Sequence, residues 1–407
     1  MFEKIEERFR AVAPKTGFWS LRVASERREM VQVRQNILQP VGTGRDMGAM
    51  ITVLDQGGMG YAATSDLTEN GLAAAVRHAT GWAHRTARAS VVDFKDVETQ
   101  APSGEYRGPV ATPWDSVPIA GKIDLVKGQC EKLKTDDRIV DWDAFVWFTK
   151  MNQLLVTANG GRVEQEFDYL VPGMSVTANE GAETVTRSFG GFGLGRQGGM
   201  ELLDDVDFEA QGARISEEVI ELLSAPNCPS GSMDLLLDAT QMYLQIHESI
   251  GHPLELDRIL GDERNYAGTS FVTLDMLGEY RYGSDLLNIT FDPTIESEFA
   301  TYAYDDDGVK ATKEYIIKDG ILLRGLGGVT SQARAGKPGV ANSRACSWNR
   351  QPIDRMANLN LEPGDSSFED MVGSIENGVY MKSNNSWSID DSRNKFQFGC
   401  EYGRIIK

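Results

Sequence analysis

A block of alternating runs centred on Asn159-Gly160 restricts the fold of this chain more than any other feature. Residues 139–147, 153–157, 162–169 and 174–178 alternate apolar and polar side chains. A period of two sends successive side chains to opposite faces of a sheet, so each run reads as a strand with one face buried. Asn-Gly between two such runs is a hairpin signal, because both residues tolerate positive φ. The block therefore predicts a meander of antiparallel strands. The sheet needs partners, and the flanking sequence supplies them.

Upstream, Phe2, Ile5, Phe9 and Val12 fall at helical spacing. Strand-like runs follow at 19–23, 30–34, 50–54 and 60–64, with Gly57-Gly58 as the turn between the last two. An alanine-rich helix over 67–89 has Ser65 or Asp66 as its cap, and a second helix is expected at 119–134 after a Pro/Gly-containing linker at 101–113. Residues 1–134 are thus expected to form an N-terminal α+β domain, an α/β sandwich-like unit. Residues 135–407 are expected to form a large antiparallel β-rich domain with a few helices, giving an α+β protein overall. In that second part we expect helices at 208–223 and 367–375, a strand at 233–237, a hairpin at 315–323 turning on Asp319-Gly320, and a last strand at 396–406. Arg404-Ile405-Ile406-Lys407 is similar to the first arm of that hairpin, Tyr315-Ile316-Ile317-Lys318. A strand without its return arm leaves an open edge, so the C-terminal domain is expected to be truncated.

Composition narrows the function. The formal charge is −19 over 407 residues, which repels phosphate backbones and argues against nucleic-acid binding. The cysteines, Cys130, Cys228, Cys346 and Cys400, are far apart and form no Cys-x-x-Cys pair. That pattern, with no signal-like apolar core in residues 1–14 and no run of about 20 apolar residues, predicts a cytoplasmic protein without a membrane span.

The chemistry concentrates in one segment, His247-Glu248-Ser249-Ile250-Gly251-His252, on a helix opened by Asp238. Two of the four histidines of the chain flank a glutamate there. Imidazoles beside a carboxylate suit a hydrolytic Zn2+ site: the histidines bind metal, the metal acidifies a water, and the glutamate takes its proton. In the commoner His-Glu-x-x-His helix the histidines are four apart and share a face. Five apart on a regular α-helix, they diverge by about 140°. Convergence requires a π-type turn or a break. Gly251 is flexible, and Pro253 disfavours helical dihedrals at His252, so the helix is expected to fail over 249–252 and to swing His252 back toward His247. His78 and His84 lie six apart on the alanine-rich helix and are expected to have no site role.

Together with Leu254-Glu255 and Gly268-Thr269-Ser270, this motif resembles the TldD/PmbA family of zinc peptidases, also called modulators of DNA gyrase. The resemblance extends to residues 58–67, the acidic turn Asp305-Asp306-Asp307-Gly308, Asp354-Arg355-Met356-Ala357-Asn358 and residues 396–401. It implies an active-type subunit in which His247 and His252 hold zinc and Glu248 is the acid/base. It also implies unfolded or short peptides as substrates, and a homodimer or a heterodimer with a related subunit. The family's third ligand is a cysteine in a Cys-Gly-Lys segment, which does not occur here. Cys400 is the substitute at hand, although the family requires no cysteine in that strand and a buried structural cysteine is the commoner role. The competing function is a non-catalytic peptide-binding or regulatory partner of the same fold.

Three weaker signals remain. Gly190-Gly191-Phe192-Gly193-Leu194-Gly195 reads as a flap rather than a phosphate loop, since no helix begins at it. Arg355 is suited to a peptide carboxylate or to a local acid. The aspartates 305–307 lack the spacing of an EF-hand.

Overall fold

The computed structural model describes residues 1–15, 17–262 and 264–407. Its centre is a nine-stranded sheet built from β1 (Phe18–Arg34), β2 (Ile37–Leu38), β3 (Gly42–Asp55), β4 (Gly58–Thr64), β5 (Ser103–Arg107), β6 (Ile139–Thr157), β7 (Arg162–Glu180), β8 (Glu183–Gly190) and β9 (Arg196–Gln197). The main order is β4-β3-β1-β6-β7-β5, antiparallel except for the β5–β7 pair. The Asn159-Gly160 hairpin joins β6 to β7, with Gly160 at φ 92°. Gln56 and Gly57 take φ 54° and 86° in the β3–β4 turn.

Each pair of expected short strands in β1, β6 and β7 is one long strand. In β1 the intervening residues carry charges that hide the alternation, yet the ladder runs on: Ser25–Glu29 pair with Asn152–Phe148 of β6. Ion pairs from the same stretch, Arg27 with Asp115 and Glu29 with Lys122, satisfy the polar side chains. The expected division at residue 134 falls between strands of this one sheet, because β6 pairs with β1 from Ser20↔Thr157 to Arg34↔Asp143.

The two faces of the sheet have different partners. Leu21, Val23, Val31 and Val33 of β1 are buried and share one face by alternation. Leu21 and Val23 pack under α1 (Phe2–Val12) and α2 (Glu69–Thr86), against Phe9, Leu72 and Ala79. Val31 and Val33 pack with α3 (Ile119–Glu131), α4 (Leu202–Asp205) and α5 (Phe208–Leu222) around Val126, Phe148 and Ile215. The cap of α2 is Thr68, whose hydroxyl accepts from Gly71 N; Asp66 instead accepts from Thr68. Arg22 points to the opposite face, where it pairs with Asp306 at 2.7 Å.

The C-terminal part, built from small sheets, packs on that opposite face through Asp306 and Tyr302 and reaches β8 and α5 through its last strand, where Glu401 pairs with Arg187 and Tyr402 donates to Glu221. β10 (Asp234–Leu237) runs parallel to β17 (Gly378–Ile389), which pairs with β18 (Phe396–Ile406). β11 (Ile289–Phe291), β12 (Glu314–Lys318), β13 (Ile321–Leu322) and β16 (Leu359–Leu361) form a four-stranded sheet around Phe291, Ile316 and Ile317. β14 (Ser343–Arg344) pairs with β15 (Ile353–Asp354). The Asp319-Gly320 turn is present, with φ 50° and 75°. The fold is thus α+β and dominated by antiparallel sheets. No described helix is long and apolar enough to cross a membrane.

Candidate metal centre

β10 delivers the chain to α6 (Ala239–Ile246) through Asp238. Its carboxylate accepts from Thr240 N at 2.9 Å, and Tyr380 of β17 donates to it at 2.6 Å. The helix start is therefore tied to the three-stranded sheet. Regular α-geometry stops at Ile246. Residues His247–Gly251 form one π-type turn, in which His252 N donates to His247 O, five residues back. A 3₁₀ turn over His252–Leu254 follows.

This extra residue per turn performs the convergence. The two imidazole rings lie with centroids 4.5 Å apart at 83°. The expected route was partly wrong: His252 keeps helical dihedrals, φ −61° and ψ −40°, despite Pro253. Widening, not breaking, brings the rings together. Gly251 also serves differently from expectation. Its φ is −58°, but a Cβ there would stand 2.4 Å from the Met356 sulfur. The residue is small because a neighbour packs on its backbone. Tyr282 donates to Ser249 O inside the wide turn, where carbonyls lack their usual helical partners.

Donor atoms of His247, Glu248 and His252 all lie within 4.8 Å of one another. Burial, then the neighbouring His252 and Arg355, push the His247 imidazole down to about 3. It is therefore neutral at physiological pH, the state that offers a lone pair. His252 Nδ1 lies 2.8 Å from Glu255 Oε2. A carboxylate only accepts, so Nδ1 carries the proton and Nε2 is left as the acceptor. Burial alone would push the Glu255 carboxyl up. The hydrogen bond from His252 and the guanidinium charges of Arg258 and Arg355 outweigh it and hold Glu255 below the usual carboxylate range. This set fits a metal: two imidazoles with lone pairs and an adjacent carboxylate, with one imidazole locked from behind.

Three further participants lie outside the 247–252 segment. Glu255 and Arg258 stand behind His252, both buried. Glu255 is three residues on from His252, a spacing that sequence can reveal. Arg393 comes from the β17–β18 turn. Its Nε lies 3.9 Å from Glu248 Oε2, and it donates to Ala267 O at 2.7 Å. Gly268-Thr269-Ser270 clamps that turn to the motif: Thr269 N donates to Asp391 O at 2.7 Å and Ser270 Oγ to Pro253 O at 2.6 Å. Gly268 takes φ 79°, with no room for a Cβ beside Asp391 O.

Other expected features lie elsewhere. Cys400 pairs with Asn384 in the β17–β18 ladder and does not join the His–Glu group. Burial, with Cys228 nearby, pushes its thiol up, away from a metal-binding thiolate. His84 bonds Asp55 at 2.8 Å on the surface. Asp305 is a structural turn acid, accepting from Asp307 N, Val309 N and Ser343 N. Asp354 accepts from Asp257 N and Gly328 N, and Asn358 bonds Ala300 N and Thr301 Oγ1. The glycine-rich turn at 190–195 rests against α6, with Gly193 beside Tyr243, and exposes Phe192.

Three family models match successive parts of the chain: PmbA/TldA metallopeptidase domain 1 over residues 19–83, the central domain over 112–223 and the C-terminal domain over 230–407. The chain belongs to the TldD/PmbA family. A protein named metalloprotease from Methanothermobacter thermautotrophicus is 29% identical over 96% of this chain and 81% of its own length. A zinc metalloprotease TldD homolog from Saccharolobus solfataricus is 27% identical over 51% of this chain and 44% of its own. Among solved structures, a putative modulator of a DNA gyrase from Thermotoga maritima superposes with a TM-score of 0.78 at 20% identity, over 95% of this chain and 83% of that one. TldE from Thermococcus kodakarensis gives 0.74 at 16% identity, over 100% and 88%. These likenesses confirm the TldD/PmbA fold. The family is one of metallopeptidases, and the convergent His–Glu–His group of this TldD/PmbA chain fits a metal.

Proposed function

We propose that the chain is a zinc-dependent peptidase in which His247 and His252 hold the metal and Glu248 is the general base. The observation that carries this reading is the convergence of the three side chains within 4.8 Å through a π-type turn, which a regular helix would forbid. A zinc ion bound there supplies Lewis acidity, lowering the pKa of a coordinated water to about 7. The rest falls to the protein. His247 stays neutral through burial. Glu255 fixes the His252 ring so that Nε2 faces the centre. Glu248, with Arg393 beside it, accepts the proton of the attacking water and returns it to the leaving amine.

As part of the same proposal, the substrates are unfolded or short peptides and the enzyme works in the cytoplasm as a homodimer or with a related subunit. Free cysteines support a reducing compartment. Replacing Glu248 by Gln tests the chemistry: zinc content is expected to persist while peptide hydrolysis falls about 100-fold or more. Unchanged hydrolysis would discard Glu248 as the base, and hydrolysis absent from the wild-type chain loaded with zinc would favour the non-catalytic partner.

A further inference from the structure

A cavity of about 470 Å³ lies between the sheet and the C-terminal part. Its floor is the sheet face opposite the helices: Phe167 and Tyr169 of β7 stack with ring centroids 5.9 Å apart, and Tyr302 closes one side. Two arginines from the β14–β15 region, Arg344 and Arg355, line it as well. Arg355 also reaches within 4.0 Å of Glu255, the carboxylate that holds His252. The cavity therefore adjoins the metal centre through one side chain.

The charge balance of this cavity is uneven. Its acids are already engaged. Asp306 pairs with Arg22 and accepts from Ala345 N at 2.7 Å. Asp305 accepts three backbone N–H groups, and burial together with Asp307 raises its pKa well above the usual range. Neither serves the two arginines. Arg344 donates to Met356 O at 2.7 Å, its Nε is buried without a hydrogen-bond partner, and no carboxylate among the described residues pairs with it. Arg355 shares one carboxylate, Glu255, with Arg258. A guanidinium held in an aromatic-walled cavity without a counter-charge is costly unless a ligand provides one, and planar guanidinium matches carboxylate geometry.

We propose that this cavity binds a carboxylate of the substrate peptide on Arg344 and Arg355, with the neighbouring residue against Phe167, Tyr169 and Tyr302. The proposal rests on the peptidase reading and adds to it a substrate class: peptides anchored by a carboxylate beside the metal centre. The carboxylate is either the free C-terminus or an acidic side chain.

Binding separates the possibilities without turnover. The probes are a short fluorescent alanine-rich peptide with a free C-terminus, its C-terminal amide, and an amide with one internal glutamate. They are titrated into the full E248Q chain with and without zinc. The free acid is expected to bind about 10- to 100-fold more tightly than the amide, the range for a charge-assisted hydrogen bond. Recovery of that gain by the internal glutamate alone would name the side chain as the source and equally support the proposal. In R344Q, and separately in R355Q, the preference is expected to shrink toward 1. Arg344→Lys, checked by its melting curve, keeps the test valid should R344Q fold poorly. Cys346, exposed and on the same cavity, localises the effect: its iodoacetamide alkylation, mapped by mass spectrometry, is expected to slow with the acid peptide and not with the plain amide. Equal binding of all three peptides to the folded protein would overturn the proposal. Cleavage of acid and amide alike, with equal binding, would leave the peptidase and remove this pocket. Discriminating binding without cleavage by the zinc-loaded wild type would do the reverse.

Discussion

Glu255→Gln isolates the support behind the metal centre. The wild-type carboxylate is 1% exposed; it accepts from His252 and Arg258, and Met356 N donates to it at 3.3 Å. Gln preserves the shape and removes one charge, leaving Arg258, itself 4% exposed, without its counter-ion. Leaving one member of a buried pair alone costs about 3–5 kcal/mol. The amide still accepts one bond, so the lower end of that range is expected. The amide can also donate, so it no longer dictates which nitrogen of His252 carries the proton. Loss of such a partner weakens metal binding by about 10- to 100-fold. Two assays report the two effects: the urea midpoint of the metal-free protein at pH 7, and zinc affinity by competition with a chromophoric chelator. The pH dependence has a fixed sign. Glu255 is held below its unfolded value of about 4.3. The unfolded chain therefore takes up the proton first, and the stabilisation, complete above that value, fades as pH falls through the folded pKa. The gap between wild type and variant should narrow in that direction. An E255Q protein with wild-type midpoint and zinc affinity would refute the reasoning.

Further predictions follow from the same geometry. His247, held near 3 by burial, refuses a proton that the unfolded chain accepts near 6.5; the metal-free protein should lose stability as pH falls from about 6.5, and His247→Gln should flatten that slope in urea titrations at successive pH values. Gly251→Ala places a methyl 2.4 Å from the Met356 sulfur and should destabilise by about 1–3 kcal/mol; adding Met356→Ala should return part of that loss, as a double-mutant cycle of melting curves would show. Arg187, fully buried, binds Glu218 of α5 and Glu401 of β18; Arg187→Ala should cost about 3–5 kcal/mol and speed amide exchange in β18 before it does so in β1.

Sequence revealed those parts whose cause is local. The helices at Phe2–Val12 and Phe208–Leu222, the Asn159-Gly160 hairpin and the cap at Asp238 follow from spacing and side-chain chemistry within a few residues. The five-residue spacing of the histidines correctly demanded a departure from α-geometry. It did not say which, because the preference of a pre-proline residue was overridden by the packing of Leu254, fully buried, and Ile250. The long strands read as pairs of short ones since their middles are charged, and pairing on both sides, not hydrophobicity, continues them. Arg393 was invisible: it stands far along the chain from Glu248, and only the docking of the β17–β18 turn on Gly268-Thr269 brings it there. Arg344 gave no signal for the same reason.

The central position of β1 also sets a timetable for the nascent chain. Its hairpin partner β3 emerges from the ribosome soon after it, but Ser20 must wait for Thr157, and Arg22 for Asp306. During synthesis the β6 side of a seventeen-residue strand therefore stands open, a ready template for unwanted pairing. The charges in its middle, Glu26, Arg27, Arg28 and Glu29, act in that interval as gatekeepers, disfavouring association until the proper neighbour arrives. Pairings between such distant residues are slow to form, and the metal centre draws Arg393 from the β17–β18 hairpin, which is synthesised later still.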